Sequence, residues 1–157
     1  MDKFANVLAL LSSGLLAGAF AYGFFAVVPT FYEVPLEVHL NYRDALMRQN
    51  GIYMQIAMAA SILAPIRWAF TMDGPKGSRW FAISASSLSL ISFIVTRFGN
   101  VPINRMIRTW SAVAPPADYE RLLSRWMMFN DLRTATAIIS FACIICATIS
   151  FRGNLAR

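Results

Sequence analysis

The chain is poor in charge. Only 14% of its residues are Asp, Glu, Lys or Arg, against the roughly 25% usual in soluble domains. It has one histidine, His39, and two cysteines, Cys143 and Cys146. That set has no zinc-ligand spacing, which excludes a structural zinc module. No phosphate-binding glycine loop, dinucleotide fingerprint or nucleophile elbow occurs. Glu33, Glu37 and His39 stand close in sequence, but Pro35 breaks helical phase between them, so they make a weak carboxylate–histidine cluster. The net charge is +6, yet the basic residues are scattered and no nucleic-acid motif accompanies them.

Apolar residues fill the space, at 57% of the chain with a mean hydropathy of +0.53. Four stretches lack any charge: residues 4–32, 49–66, 80–96 and 134–151. A helical crossing of a bilayer takes roughly 20 residues, and about 17 at the least. All four reach, the middle two with apolar or snorkelling neighbours such as Trp68, Phe70, Arg67 and Arg79. The first run follows a short charged start (Asp2, Lys3) but exceeds the roughly 7–15 residues of a signal h-region, so it reads as a retained helix. The expected fold is an all-α integral membrane four-helix bundle, one domain over residues 1–157, with spans at about 4–28, 49–70, 79–98 and 132–151. Such a protein is multi-pass, in the plasma membrane or a bacterial inner membrane. Its expected partners are the lipid bilayer and a small lipophilic substrate, with no nucleic acid. A homo-oligomer is left open.

Four crossings put both termini on one side, called A, and the linkers 29–48 and 97–133 on the other, called B. Side A carries Lys3, Arg67, Lys76, Arg79, Arg152 and Arg157. Side B carries more arginines, but also six of the eight acids. Side A, short and basic, is read as cytoplasmic. Asp73-Gly74-Pro75 marks its turn. Gly14 and Gly18 form a G-x-x-x-G step, and Ala57, Ala60, Ser61 and Ala64 line the second span, read as packing within the bundle. On side B, Leu36 to Arg48 is helix-compatible after Pro35, and residues 118–133 read as helix with Asp118 as N-cap and Glu120 in the first turn. Around Gly99 and Pro102 the third helix either continues or restarts with Asn100 as cap. Helical extensions are therefore expected on side B only.

Side B also holds the polar residues that suggest a site. Asn104 and Arg108 share a helix face, and a continuous helix adds Asn100 and Arg97. Trp126, Asn130 and Arg133 share another, as do His39, Arg43 and Asn50. Polar groups near lipid are costly unless paired, so they usually mark a site. Amide, guanidinium and indole donors stabilise charge on an enolate or phenolate, and a neutral imidazole can take a proton. Against this, single arginines near an interface commonly snorkel or bind lipid phosphate, and Trp80, Trp110 and Trp126 fit an interfacial aromatic belt. Cys143 and Cys146 form C-x-x-C in mid-span. A quinone-linked thiol oxidoreductase would need further shuttle cysteines, so the pair is expected to be buried structural thiols.

These motifs resemble the anthrone oxygenase-like family of small four-span membrane proteins. The residues that carry the resemblance are Asn100-Val101-Pro102-Ile103-Asn104 with Trp110, then Arg125-Trp126, Asn130 and Leu132-Arg133 entering the last span. His39 matches the histidine-bearing segment after the family's first span. The resemblance implies a monooxygenase or other oxidoreductase acting on a lipophilic aromatic, anthrone- or quinol-like. On that expectation His39 is the base, while Asn104, Asn130 and Arg133 are catalytic groups that hold an oxyanion. Asn100, Arg108, Trp110, Trp126 and Phe129 bind substrate. No metal site is expected, and the cofactor is unknown: a cofactor-free route, haem, a metal or a quinone are all compatible. The alternative is a non-catalytic membrane module binding lipid head groups or a partner subunit through the same arginines.

Overall fold

The computed structural model describes residues 3–155. Arg157 and the side chain of Arg152, counted above as side-A charges, lie outside the described residues, as does Asp2. Four helices, each long and apolar enough to cross a membrane, make up the chain: α1 (Lys3–Thr30), α2 (Leu36–Thr71), α3 (Lys76–Ile107) and α4 (Tyr119–Leu155). No strand occurs among the described residues, so the all-α four-helix fold expected from sequence is the one observed. The helices form a ring in which α1 packs on α2 and α4, and α3 packs on α2 and α4. Large apolar side chains such as Leu15, Phe70, Trp80 and Ile149 point outward. Lipid, not water, suits such a surface.

Lengths explain the side-B extensions. Helix α2 has 36 residues, about 54 Å at 1.5 Å per residue, against a hydrocarbon core about 30 Å thick. It runs unbroken from Leu36, because no helix breaker follows Pro35 until Pro65. Helix α4 likewise starts at Tyr119 and carries straight into the last span.

Two turns depart from α geometry. In α1 the N–H of Val28 reaches the carbonyl of Gly23, and in α3 the N–H of Val101 reaches that of Thr96, each five residues back. These π turns, Gly23–Val27 and Thr96–Asn100, each begin after 20 α-helical residues. They lie on diagonally opposed helices. Each is followed at once by Val-Pro (Val28-Pro29, Val101-Pro102). A proline ring clashes with the carbonyl four residues back, here Phe25 or Phe98, and a widened turn relieves the clash. The third helix thus continues through the polar block. Asn100 is helical and makes no side-chain cap, which frees its amide for another helix.

Packing falls into layers. The side-A layer joins Ala5, Ala9, Ala64, Trp68, Ala69, Ala82, Ala85 and Ala147 from all four helices. Small residues let backbones approach closely where no hydrophobic force draws helices together. Gly14 belongs to this pattern, since a Cβ there would sit 3.1 Å from the Phe141 ring; Gly18 has open space around it. Gly74, in the α2–α3 turn, gives the Phe151 ring room that a Cβ would occupy at 2.5 Å. The expectation of two buried thiols is corrected at Cys146, which is exposed, while Cys143 is half-buried. The helical step of three residues turns Cys146 to the outer surface.

Candidate functional site

Towards side B the helices part around a cavity of about 1020 Å³. Its apolar walls include Phe20, Val28, Phe31, Met47, Met54 and Phe93. Its polar walls hold Arg43, Asn104, Asn130 and Arg133, with exposed Arg97, Arg105 and Arg108 around the mouth. Both π turns border it, through Gly23 and Val27 on one flank and Thr96 and Arg97 on the other. The sequence stripe on α3 needs one adjustment here. The wider turn sets Val101, not Asn100, in line with Arg97, so Arg97, Asn104 and Arg108 face the cavity while Asn100 turns to α4.

Trp126 is the centre of the polar wall. Its indole N–H donates to Asn104 Oδ1 at 2.7 Å, and its carbonyl accepts from Asn100 Nδ2 at 3.1 Å. Two asparagines of α3 thus clamp one tryptophan of α4. The clamped indole presents its face to the Arg43 guanidinium, 4.1 Å away, and more distantly to Arg133 at 5.8 Å. Arg133 also lies over the Phe20 ring at 4.6 Å. Its Nε and Nη2 donate to Asn130 Oδ1 at 3.2 and 2.8 Å. That pairing leaves the buried Nδ2 of Asn130 without an acceptor among the described residues. A buried donor left unmade is expensive.

Of the residues singled out from sequence, Asn104, Arg108, Trp126, Asn130 and Arg133 line the cavity. Asn100 stands just behind, fully buried. His39 is buried one layer out, its ring stacked on Phe31 with centroids 4.7 Å apart. Phe31 therefore stands between the imidazole and the cavity. Trp110 packs edge-on against Tyr119 in the α3–α4 connection. Phe129 fills the notch left by Gly99, where a Cβ would come within 2.6 Å of its ring. Gly99 itself was the available signal for that contact.

The residue missing from the sequence assignment is Arg43, which was grouped with His39 but given no role. Its signal was weak, because an arginine just outside a span usually snorkels. Tyr32 lies nearby, in the turn after α1. Its hydroxyl donates to Met127 Sδ at 2.8 Å. Burial raises its pKa, with Asp131 adding to the rise and Arg43 opposing it, which keeps the phenol protonated at neutral pH. Outside the cavity mouth Asp44 bridges two arginines, accepting from Arg108 Nε at 2.9 Å and pairing with Arg48. Among the described residues no group of three His, Cys, Asp or Glu is placed to hold a metal ion.

No curated protein and no solved structure matches the chain. The family model described as Anthrone oxygenase matches residues 42–143, a segment that includes every arginine and asparagine of the cavity wall. The chain belongs to the anthrone oxygenase family.

Proposed function

We propose that this protein is a membrane-embedded oxygenase that oxidises a flat lipophilic aromatic, anthrone- or quinol-like, inside the side-B cavity. The observation that carries this reading is the Asn130–Arg133 pair, with one amide donor unpartnered, on a wall shared with aromatic and methionine side chains. An anthrone has an acidic methylene conjugated to a carbonyl. Removing one proton puts negative charge on the carbonyl oxygen, where Arg133 and Asn130 Nδ2 are the donors. Fixed donors in a site closed by apolar walls favour that anion more than water does. The clamped Trp126 supplies a stacking face, and the Asn104 amide N–H₂ offers a second donor.

The electron-rich anion then reacts with dioxygen. Its carbon forms a C–O bond, and the resulting peroxide anion takes up a proton from solvent to give a hydroperoxide. Loss of the remaining hydrogen as a proton, with cleavage of the O–O bond, leaves the second carbonyl. One oxygen atom stays in the quinone and the other leaves as water. Two routes exist for the first proton. The cavity walls carry neither carboxylate nor imidazole, so it leaves through the arginine-rimmed mouth to solvent, or it reaches His39 after Phe31 swings aside. The intact His39–Phe31 stack favours the first.

The test is conversion of an anthrone to its quinone by protein reconstituted in lipid under oxygen, followed by absorbance. Wild type accelerates it above empty vesicles, while Arg133→Ala and Asn104→Ala fall to background with the fold intact by circular dichroism. Full activity in both variants would remove this assignment. Anionic lipid co-purifying with an inactive wild type would instead support a lipid-binding module, which the exposed Arg97 and Arg105 at the mouth also suit.

A further inference from the structure

Arg43 poses a separate question. Only 3% of its surface is exposed, and its Nε, Nη1 and Nη2 all lack an acceptor among the described residues. The guanidinium is sandwiched between two aromatic faces, Phe31 at 5.0 Å and Trp126 at 4.1 Å. Stacking compensates the flat faces of a guanidinium but leaves its in-plane N–H groups unsatisfied. The nearest acid in sequence, Asp44, is already held by Arg108 and Arg48 at the rim. No Asp or Glu lines the cavity, whereas five arginines do: Arg43, Arg97, Arg105, Arg108 and Arg133. A buried, desolvated cation with no counter-charge is among the least favourable arrangements a protein can hold. A ligand anion would remove that penalty and use the planar fork bidentately.

We infer that the ligand of this cavity carries an acid group of its own, a carboxylate, that pairs with Arg43. This deepens the reading of the site given above and rests on it for the aromatic part of the ligand. Arg133 and Asn130 are occupied with the oxygen that becomes charged during reaction. Arg43, nearer to Trp126 than Arg133 is, holds the charge already present on the bound molecule. The stacked Phe31 and Trp126 set the plane of the guanidinium, and so the plane in which the acid group must approach. The anion that fits Arg43 has two possible sources, an aromatic acid or the phosphate of a lipid head group, and the site commits to the first because it lies among aromatic walls inside the bundle.

The test measures binding and needs no turnover, so an inactive protein would not obscure it. Wild type in phosphatidylcholine nanodiscs is titrated with an anthraquinone bearing one carboxylate, and with its uncharged primary carboxamide of the same shape, by quenching of tryptophan fluorescence. The carboxylate should bind at least about tenfold more tightly. Arg43→Gln should bring the two affinities to within about twofold, chiefly by weakening the carboxylate, and Arg43→Lys should restore part of the preference. Equal affinities in wild type would overturn the proposal even if the variants failed to fold. A preference that survives in Arg43→Gln would overturn it as well. Repeating the titration in phosphatidylglycerol discs separates the two sources. A preference that persists there supports the aromatic acid, while one abolished by the anionic lipid assigns Arg43 to a head group and overturns the proposal.

Discussion

Around Trp68 the four helices meet on alanines, whereas around Trp126 they meet on arginines and asparagines. The two tryptophans are both buried, Trp68 in a layer shared by the four helices and Trp126 on the wall of the cavity between them. Their surroundings differ in side-chain size. Alanine at Ala5, Ala9, Ala69, Ala82, Ala85 and Ala147 draws the backbones together. Longer side chains at the same height as the two π turns hold the helices apart and leave a cavity. On the function proposed above, the closed end serves stability and the open end chemistry, so substitutions at the two ends should have separable effects.

The largest effect is expected in the open half. Arg133→Ala should reduce turnover by about two to three orders of magnitude, the usual loss when one oxyanion donor is removed. The thermal midpoint should change little, because Arg133 already faces a cavity and its loss enlarges it. Ala85→Leu is the counterpart in the closed half. Ala85 is fully buried, and overpacking a tight contact costs about 1–3 kcal/mol. Thermal melts should show the loss, while activity per folded molecule stays near wild type. A collapse of activity in Ala85→Leu at full stability would erase the distinction between the halves.

Gly99→Ala probes the junction. Its new Cβ would meet the Phe129 ring at 2.6 Å, so α4 or the ring must move. Because Phe129 lies one turn from Trp126 and beside Asn130, the shift reaches the clamp. Stability should fall by about 1–3 kcal/mol, and turnover should fall with it, unlike in either pure case. Separate melts and rate measurements on one preparation distinguish the three patterns.

The closed half was legible in the sequence because its signals are compositional: charge-free runs, small residues at helical spacing, and an Asp-Gly-Pro turn. The open half was legible as a set of residues but not as an arrangement. Helical periodicity groups Trp126, Asn130 and Arg133 on one face and Asn104 with Arg108 on another, and both groups line the cavity. The π turns defeated that periodicity at Asn100, since an extra residue in a turn leaves no mark except the proline that follows it. Phe129 resembled a wall residue because apolar aromatics near a polar block usually are, and only Gly99 betrays the notch that takes it. Arg43 was passed over for a related reason. Whether an arginine snorkels or is buried depends on what packs over it, and Phe31 comes from another helix end.

His39 sharpens the boundary of the open half. If it is a packing partner for Phe31, His39→Gln should slow turnover by less than about tenfold and leave the pH profile of kcat unchanged. If it is the base, the loss should reach at least about a hundredfold, with the acidic limb of the profile removed. The stacked geometry, with rings inclined by 6°, predicts the first result.

The smallest effect lies deep in the closed half, at the only buried hydroxyl pair described between α3 and α4. Ser89 and Ser140 are 2.9 Å apart, and Ser140 also donates to the carbonyl of Ala85 at 2.8 Å. A serine has one proton to give, so Ser140 spends its own on Ala85 and must accept from Ser89. The two alanine substitutions are therefore unequal. Ser89→Ala removes one donor and leaves Ser140 bonded to Ala85, at a cost of about 0.6 kcal/mol, typical for a hydrogen bond between membrane helices. Ser140→Ala removes both interhelical bonds and strands the Ser89 hydroxyl, which is buried at 1% exposure, so it should cost more. Unfolding in mixed micelles would resolve the order. The reverse order would mean that the shared proton lies the other way and that Ser89, not Ser140, anchors the closed half.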